Sequence, residues 1–307
     1  MDAWNLMTGE TTGEKAGFRR GAFWMILTAM AFTAMLVCVR FLAGEYHSVQ
    51  VVFVRSLVGL VFIVPPLMSA GLAGLKTQRL PMHMARAGFS LAAMGVYYFA
   101  VPHLPLADAT TYTFAIPLFV VLGAAFVLKE KVDAPRWIAT LAGFLGVVIL
   151  LRPGQGGFSL AVAMVLLSAL FYAGAWVTLK FLTSTEKPSV IIVYQNVMIV
   201  LLALVPTLFL GKWPDLHGAL FLFGVGVFGT MAHFCQAKAF AAADASAITP
   251  LDFLRLPFAV FYAWFFFSEP TDVWTWAGAI VIFSSTWYIT WHESRAKKRK
   301  AAAASSG

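Results

Sequence analysis

The stretch AAADASAITPLDFLRLPFAVFYAWFFFSEPTDVW, residues 241–274, echoes an earlier one, LPLADATTYTFAIPLFVVLGAAFVLKEKVDAPRW, residues 104–137. ADAT at 107–110 returns as ADAS at 243–246, Pro117 returns as Pro257, and Glu130 and Trp137 return as Glu269 and Trp276. One feature does not return. The first copy ends in KEKVDAPR (129–136), with three basic residues, whereas its counterpart SEPTDVW (268–274) has neither Lys nor Arg. Similar apolar sequence with a reversed loop charge is what two copies inserted in opposite senses would carry, because basic loops stay on the cytoplasmic side.

The echo extends along the chain at a shift near 140 residues. RFL at 40–42 meets KFL at 180–182, Arg55 meets Gln195, and Pro66 meets Pro206. The chain has 307 residues, of which 60% are hydrophobic and 12% charged. Soluble domains carry about 25% charged residues, and with a mean hydropathy of +0.80 this chain reads as a polytopic membrane protein. Ten apolar runs approach the ~20 residues that a helix needs to cross a bilayer: 21–43, 49–69, 84–101, 107–128, 135–152, 159–180, 189–210, 217–236, 245–267 and 272–292. The fold class expected is all-α and integral to the membrane. Ten helices form two inverted five-helix repeats, 21–152 and 159–292, between a cytoplasmic segment 1–20 and a basic tail 293–307. The first run is too long for a signal-peptide core and has no small-residue cleavage site after it, so it reads as a retained span.

Orientation follows from the cations. With the N-terminus inside, 17 of the 22 Lys and Arg fall in cytoplasmic segments, Arg86 among them, while Arg152 and Lys212 are alone in the outer loops. Both termini are therefore expected in the cytoplasm, with the chain in the cytoplasmic (inner) membrane. The tail RAKKRK serves as an anchor beside anionic lipid. The net charge of +8 does not call for nucleic acid, since no aromatic or base-reading element accompanies it.

These motifs resemble those of the drug/metabolite transporter superfamily, in its ten-span EamA-type branch. The resemblance covers residues 21–292 and rests on a small-residue-rich span with a central proline, an acidic residue at its end and a Trp opening the next span. Here those are Pro117, Glu130 and Trp137, then Pro257, Glu269 and Trp276. It implies a cavity built by spans one to four and six to nine. Asp252 and Arg255 depart from the pattern, because uncharged residues are usual there.

A charge near the bilayer centre costs at least ~2.5–3.5 kcal/mol, so polar residues within spans are the candidate site. Asp252 and Arg255 lie three apart on one helix face, between Pro250 and Pro257. They form either a self-neutralising strut or a pair that a substrate separates. Broken helices at Pro117, Pro250 and Pro257 fit a cavity lining, where exposed backbone is tolerated. Arg55 and Gln195 are repeat mates at matching depth from opposite sides, while Arg40 and Lys180 lie close enough to helix ends to snorkel. Asp108 and Asp244 read as helix N-caps. Tyr112 is the repeat mate of Asp252, and Tyr97 that of His233, which is either a packing residue or a proton relay. Trp176, Tyr172 and Phe253 either pack or stack on a planar substrate.

The chain lacks a phosphate-binding glycine loop, metal-ligand spacing and a nucleophile–base pair. It is expected to be no enzyme and to need no cofactor. A secondary transporter working by alternating access follows, its substrate a small organic anion or zwitterion because Arg40, Arg55 and Arg255 outnumber Asp252. Protons are a candidate coupling ion and a homodimer a candidate assembly. The alternative is a membrane scaffold or lipid-modifying enzyme without a transport pathway.

Overall fold

The computed structural model describes residues 12–70, 77–126, 134–151, 159–183, 185–186, 188–242 and 249–305. Among them no strand occurs. The helices are α1 Thr12–Phe41, α2 Ser48–Ala70, α3 Leu80–Ala100, α4 Leu106–Thr113, α5 Ile116–Phe126, α6 Ala134–Leu151, α7 Leu160–Thr183, α8 Pro188–Leu210, α9 Leu216–Ala242, α10 Arg255–Phe267 and α11 Val273–Ser305. Short 3₁₀ turns, Val101–His103 and Thr249–Leu254, precede α4 and α10. Six stretches among the described residues are long and apolar enough to cross a membrane: Gly17–Phe41, Leu80–His103, Leu106–Gly123, Leu160–Leu179, Val190–Leu210 and Leu216–Gln236. Ser48–Ile63 and Trp137–Leu150 are shorter apolar helices. Large apolar side chains such as Val61, Ile138, Leu208 and Phe209 cover the outside, which suits a bundle whose solvent is lipid.

Several helix starts are fixed by local caps, which satisfy amides that a helix cannot pair internally. His47 accepts the Val49 amide, Ser159 that of Val162, Asp215 that of Gly218 and Asp272 that of Trp274. The start of α4 is different. Pro105 precedes it, and the Leu106 amide donates to Glu269, 163 residues away. Asp108, expected as a cap, lies inside α4 and accepts the Thr275 hydroxyl instead. The expected cap at Asp244 lies outside the described residues.

Helix pairing has a regular pattern. The pair α1–α9 is matched by α7–α3, and α2–α9 by α8–α3. Likewise α1 against α10 is matched by α7 against α5, and α2–α8, α6–α11 and α4–α10 also pair. Glycine sets the closest approaches. A Cβ on Gly146 would lie 2.9 Å from the Ile282 backbone nitrogen, and one on Gly278 the same distance from the Gly146 carbonyl, so α6 and α11 meet backbone to backbone. Gly226 of α9 similarly admits Val58 of α2.

On the face bearing residues 42–47 and 211–215, two turns are stapled together. Gln50 donates to the Lys212 carbonyl at 2.7 Å and accepts its amide at 3.2 Å, and the Tyr46 hydroxyl donates to Asp215 at 2.8 Å. The Gly218 amide and the Tyr46 hydroxyl hold the Asp215 carboxyl below its ordinary value of 3.8. The same contact holds the Tyr46 phenol above 10.0. A depressed carboxyl stabilises the fold above its unfolded pKa and loses that contribution as pH falls through the folded one. A raised phenol does so below its unfolded pKa and loses it as pH rises through the folded value. The staple should therefore hold across the neutral range and fail at both extremes. The expected result is that Tyr46→Phe lowers the melting temperature at neutral pH, and that the deficit narrows below 3.8 and above 10.0. A deficit constant with pH would refute the coupling.

Candidate functional site

Two helix breaks meet in the middle of the bundle. The first separates α4 from α5 at Phe114 and Ala115, and Pro117 occupies the first turn of α5. The second separates the 3₁₀ turn from α10 at Leu254, with Pro257 in the first turn of α10. Proline is suited to first-turn positions, where its missing N–H would have no partner in the helix anyway. Pro257 also lines an apolar outer crevice beside Trp276 and Phe283, so its ring faces away from the polar groups. Pro250 falls within the 3₁₀ turn, and its ring lies outside the described side chains. The breaks touch through their rings: Phe114 and Phe253 stack with centroids 4.0 Å apart and planes 16° from parallel.

Beside this stack stand the charges. Arg255 opens α10 and its Nη2 lies 2.7 Å from Asp252 Oδ1. Its guanidinium covers the face of Phe32 of α1 at 4.2 Å, and His233 of α9 meets the same ring edge-on at 5.2 Å. Arg55 reaches His233 from α2, Nη2 to Nε2, at 2.9 Å, while its Nη1 lies 3.7 Å from the Met94 sulfur. A guanidinium only donates, so His233 Nε2 must accept and the ring is neutral, with its proton on Nδ1. Arg55 is only 6% exposed, and its Nε is buried without a partner. Tyr97 donates from α3 to the Ala109 carbonyl at 3.3 Å and lies in the field of Arg255. Tyr172 of α7 lies in the fields of both Arg55 and Arg255.

His233 is exposed to solvent although its ring meets Phe32 and the buried Arg55. It shares the inward face of α9 with buried Leu222 and Gly226, opposite the exposed Leu220 and Met231. Both facts hold together where the ring fronts an internal, water-accessible space. Asp252 and Arg255 keep 24% and 19% side-chain exposure, and Arg255 meets the same Phe32 ring as His233. Trp176, half exposed, follows Tyr172 by one turn on α7, opposite the outward Leu167.

Gln195 is placed apart from this group. It accepts from Arg86 Nη2 at 2.7 Å and its amide nitrogen lies 3.3 Å from the Ser90 hydroxyl. Arg86, expected in a cytoplasmic segment, is buried within α3 and also donates to the Ala175 carbonyl at 2.8 Å. It escaped notice because it opens an apolar run. Its spacing to Ser90, Met94 and Tyr97 along one helix face was the available signal. Tyr112 is buried near the end of α4.

Arg40 does not snorkel. Both its Nη atoms engage the Glu269 carboxylate, one at 2.7 Å, and its guanidinium covers Phe267 at 4.5 Å. Ser268, in the left-handed region at φ 54°, ends α10 and turns Glu269 back toward Arg40 and the α4 amide. Glu130 and the Lys180 side chain, their repeat mates, lie outside the described residues.

The sequence profile of the EamA-like transporter family matches residues 19–152 and again residues 159–291. The chain belongs to this family. It is a transporter of small metabolites, and the reading as a scaffold or lipid-modifying enzyme falls. A riboflavin transporter of Vibrio cholerae is 31% identical over 92% of this chain and 96% of its own length. One from Rhizobium johnstonii is 32% identical over 92% and 94%. An S-adenosylmethionine uptake transporter of Rickettsia conorii is 29% identical over 91% and 95%. A crystal structure at 16% identity matches with a TM-score of 0.60 over 90% of this chain and 96% of that one, a likeness of fold alone.

Proposed function

We propose that this transporter works by alternating access. Two inverted five-span halves, 21–152 and 159–292, rock about the cavity between Arg55, His233, Asp252 and Arg255. The twofold match to one family profile and the paired helix contacts support the repeat. Counted this way, α4 with α5, and the 3₁₀ turn with α10, are single broken spans, giving ten. The loop charges support placing both termini in the cytoplasm, the 42–47 face outside and the membrane as the inner one. Protons remain the candidate coupling ion and a homodimer the candidate assembly.

The observation that carries the substrate reading is an excess of buried positive charge. Arg55 and Arg86 have no carboxylate partner among the described residues, and Arg255 shares Asp252. A buried unpaired cation is costly, so a ligand that supplies acceptor oxygens is drawn in. Tyr172 and the half-exposed Trp176 add flat apolar surface. The fitting substrate is a flat heterocycle with an oxygen-rich or anionic edge. Riboflavin meets this through its ring dione, whereas S-adenosylmethionine adds a permanent sulfonium cation that the arginines oppose. In proteoliposomes of the purified protein, labelled riboflavin should enter at least about tenfold faster than labelled S-adenosylmethionine, equivalent to about 1.4 kcal/mol. Equal rates, or a preference for S-adenosylmethionine, would refute the electrostatic argument.

A further inference from the structure

The polar groups form two stations. Arg55 of α2 reaches across to His233 of α9, and Arg86 of α3 reaches across to Gln195 of α8. These two helix pairs, α2–α9 and α3–α8, are the matched pairs of the fold, and Arg55 and Gln195 are repeat mates. Each lies seven residues into its helix, about 10 Å from opposite faces of the bundle at 1.5 Å per residue. The cation has changed sides between the copies: it stands on α2 in one pair and on α3, facing the mate, in the other.

The two pairs share a chemistry. Each guanidinium is at least nine-tenths buried, each is held by a neutral partner, and each keeps an Nε with no partner. Neither is held by a carboxylate among the described residues. The acid next along from Arg86 is Glu186, near His83 and bonded to the Thr77 hydroxyl. A helix clamp alone would not need a charge, because an amide could bridge Ala175 and Gln195 without burying one. One face of α3 links the two guanidinia: it carries Arg86, then Ser90 beside Gln195, then Met94, whose sulfur lies 3.7 Å from Arg55 Nη1.

We propose that Arg86 and Gln195 form a second binding station for the oxygen-rich or anionic edge of the cargo. The cargo is handed to it from Arg55 and His233 as the halves rock. This rests on the alternating-access reading above. A neutral partner suits such a handover, since releasing a guanidinium from Gln195 or His233 leaves no stranded carboxylate behind. The chemistry shared by a carboxylate, a phosphate and a ring dione is two adjacent acceptor oxygens matching the guanidinium fork.

The test uses a probe that needs no knowledge of the cargo. Full-length protein in nanodiscs is titrated with 4-fluorobenzoate, a flat ring with a carboxylate, and bound environments are read by fluorine NMR. Two bound lines are expected; Arg86→Gln should remove one and Arg55→Gln the other. If Arg86→Gln leaves every bound line unchanged, or if the wild type shows only lines that Arg55→Gln removes, Arg86 is a clamp and the proposal fails. No bound line in the wild type would also overturn it. Should Arg86→Gln not fold, Arg86→Lys and Gln195→Met keep side-chain bulk, and each should weaken the same single line. Uptake of riboflavin is measured on the same preparations. Two lines with no uptake would sink the substrate reading and leave the station standing. Loss of the Arg86 line with unchanged uptake would show a site off the transport path and overturn the handover.

Discussion

Replacing Asp252 by Asn or Arg255 by Gln should each abolish transport and lower the melting temperature, and combining them should restore the melting temperature without restoring transport. The two charges lie 2.7 Å apart and largely out of solvent. Removing one partner strands the other and costs about 3–5 kcal/mol for a buried pair, somewhat less here because both side chains retain solvent contact. Removing both eliminates the stranded charge. Arg255 keeps a further partner in Phe32, whose ring it covers at 4.2 Å. Asp252→Asn should therefore be the milder single change, worth about 1–2 kcal/mol less given a partly desolvated cation–π contact. Uptake into proteoliposomes beside thermal unfolding in detergent reads both quantities. Recovery of uptake in the double variant would make the pair a strut.

Arg55→Gln should cost transport about 100-fold or more while raising the melting temperature. Its guanidinium is buried against His233 and the Met94 sulfur, with an unpartnered Nε. In the unloaded protein this charge is a liability, and a neutral residue relieves it. Arg55→Lys keeps the charge and loses the planar fork, so its uptake should fall between the two. Gly229→Ala probes the same point from the other side. Its new Cβ would lie 2.9 Å from Arg55 Nε and 3.0 Å from the Met35 sulfur, both on flexible chains. The fold should tolerate it while the half-saturating substrate concentration rises. Concentration-dependent uptake checks this; unchanged kinetics in Arg55→Gln would remove Arg55 from the cargo path.

The helical, membrane-spanning nature of the fold was legible in the sequence because composition and run length express the bilayer directly. The central polar residues were legible for the same reason, since a charge among apolar residues stands out. What could not be read was which charge finds which partner. Arg40 looked close enough to a helix end to reach water, yet its partner Glu269 lies 229 positions away and is aimed by a left-handed Ser268. Arg86 looked like an ordinary flanking cation because α3 begins six residues before it, and linear position says nothing of what α7 and α8 place opposite. Asp108 occupied a plausible capping position, but the helix begins two residues before it and its carboxylate accepts from Thr275 instead. Local pattern fixes elements; long-range polar pairing depends on packing.

The Arg55–His233 contact spans 178 residues, and that separation has a consequence for how the chain is made. At about 5–20 residues per second, some 9–36 s pass between synthesis of α2 and arrival of its α9 partner. Throughout that interval an arginine-bearing helix must wait in or beside the membrane without its final neighbour. The Arg86–Gln195 pair waits less, over 109 residues. Nascent chains halted before residue 233 should accordingly be the ones that membrane quality control removes first, and the insertion machinery must shelter α2 longer than α3.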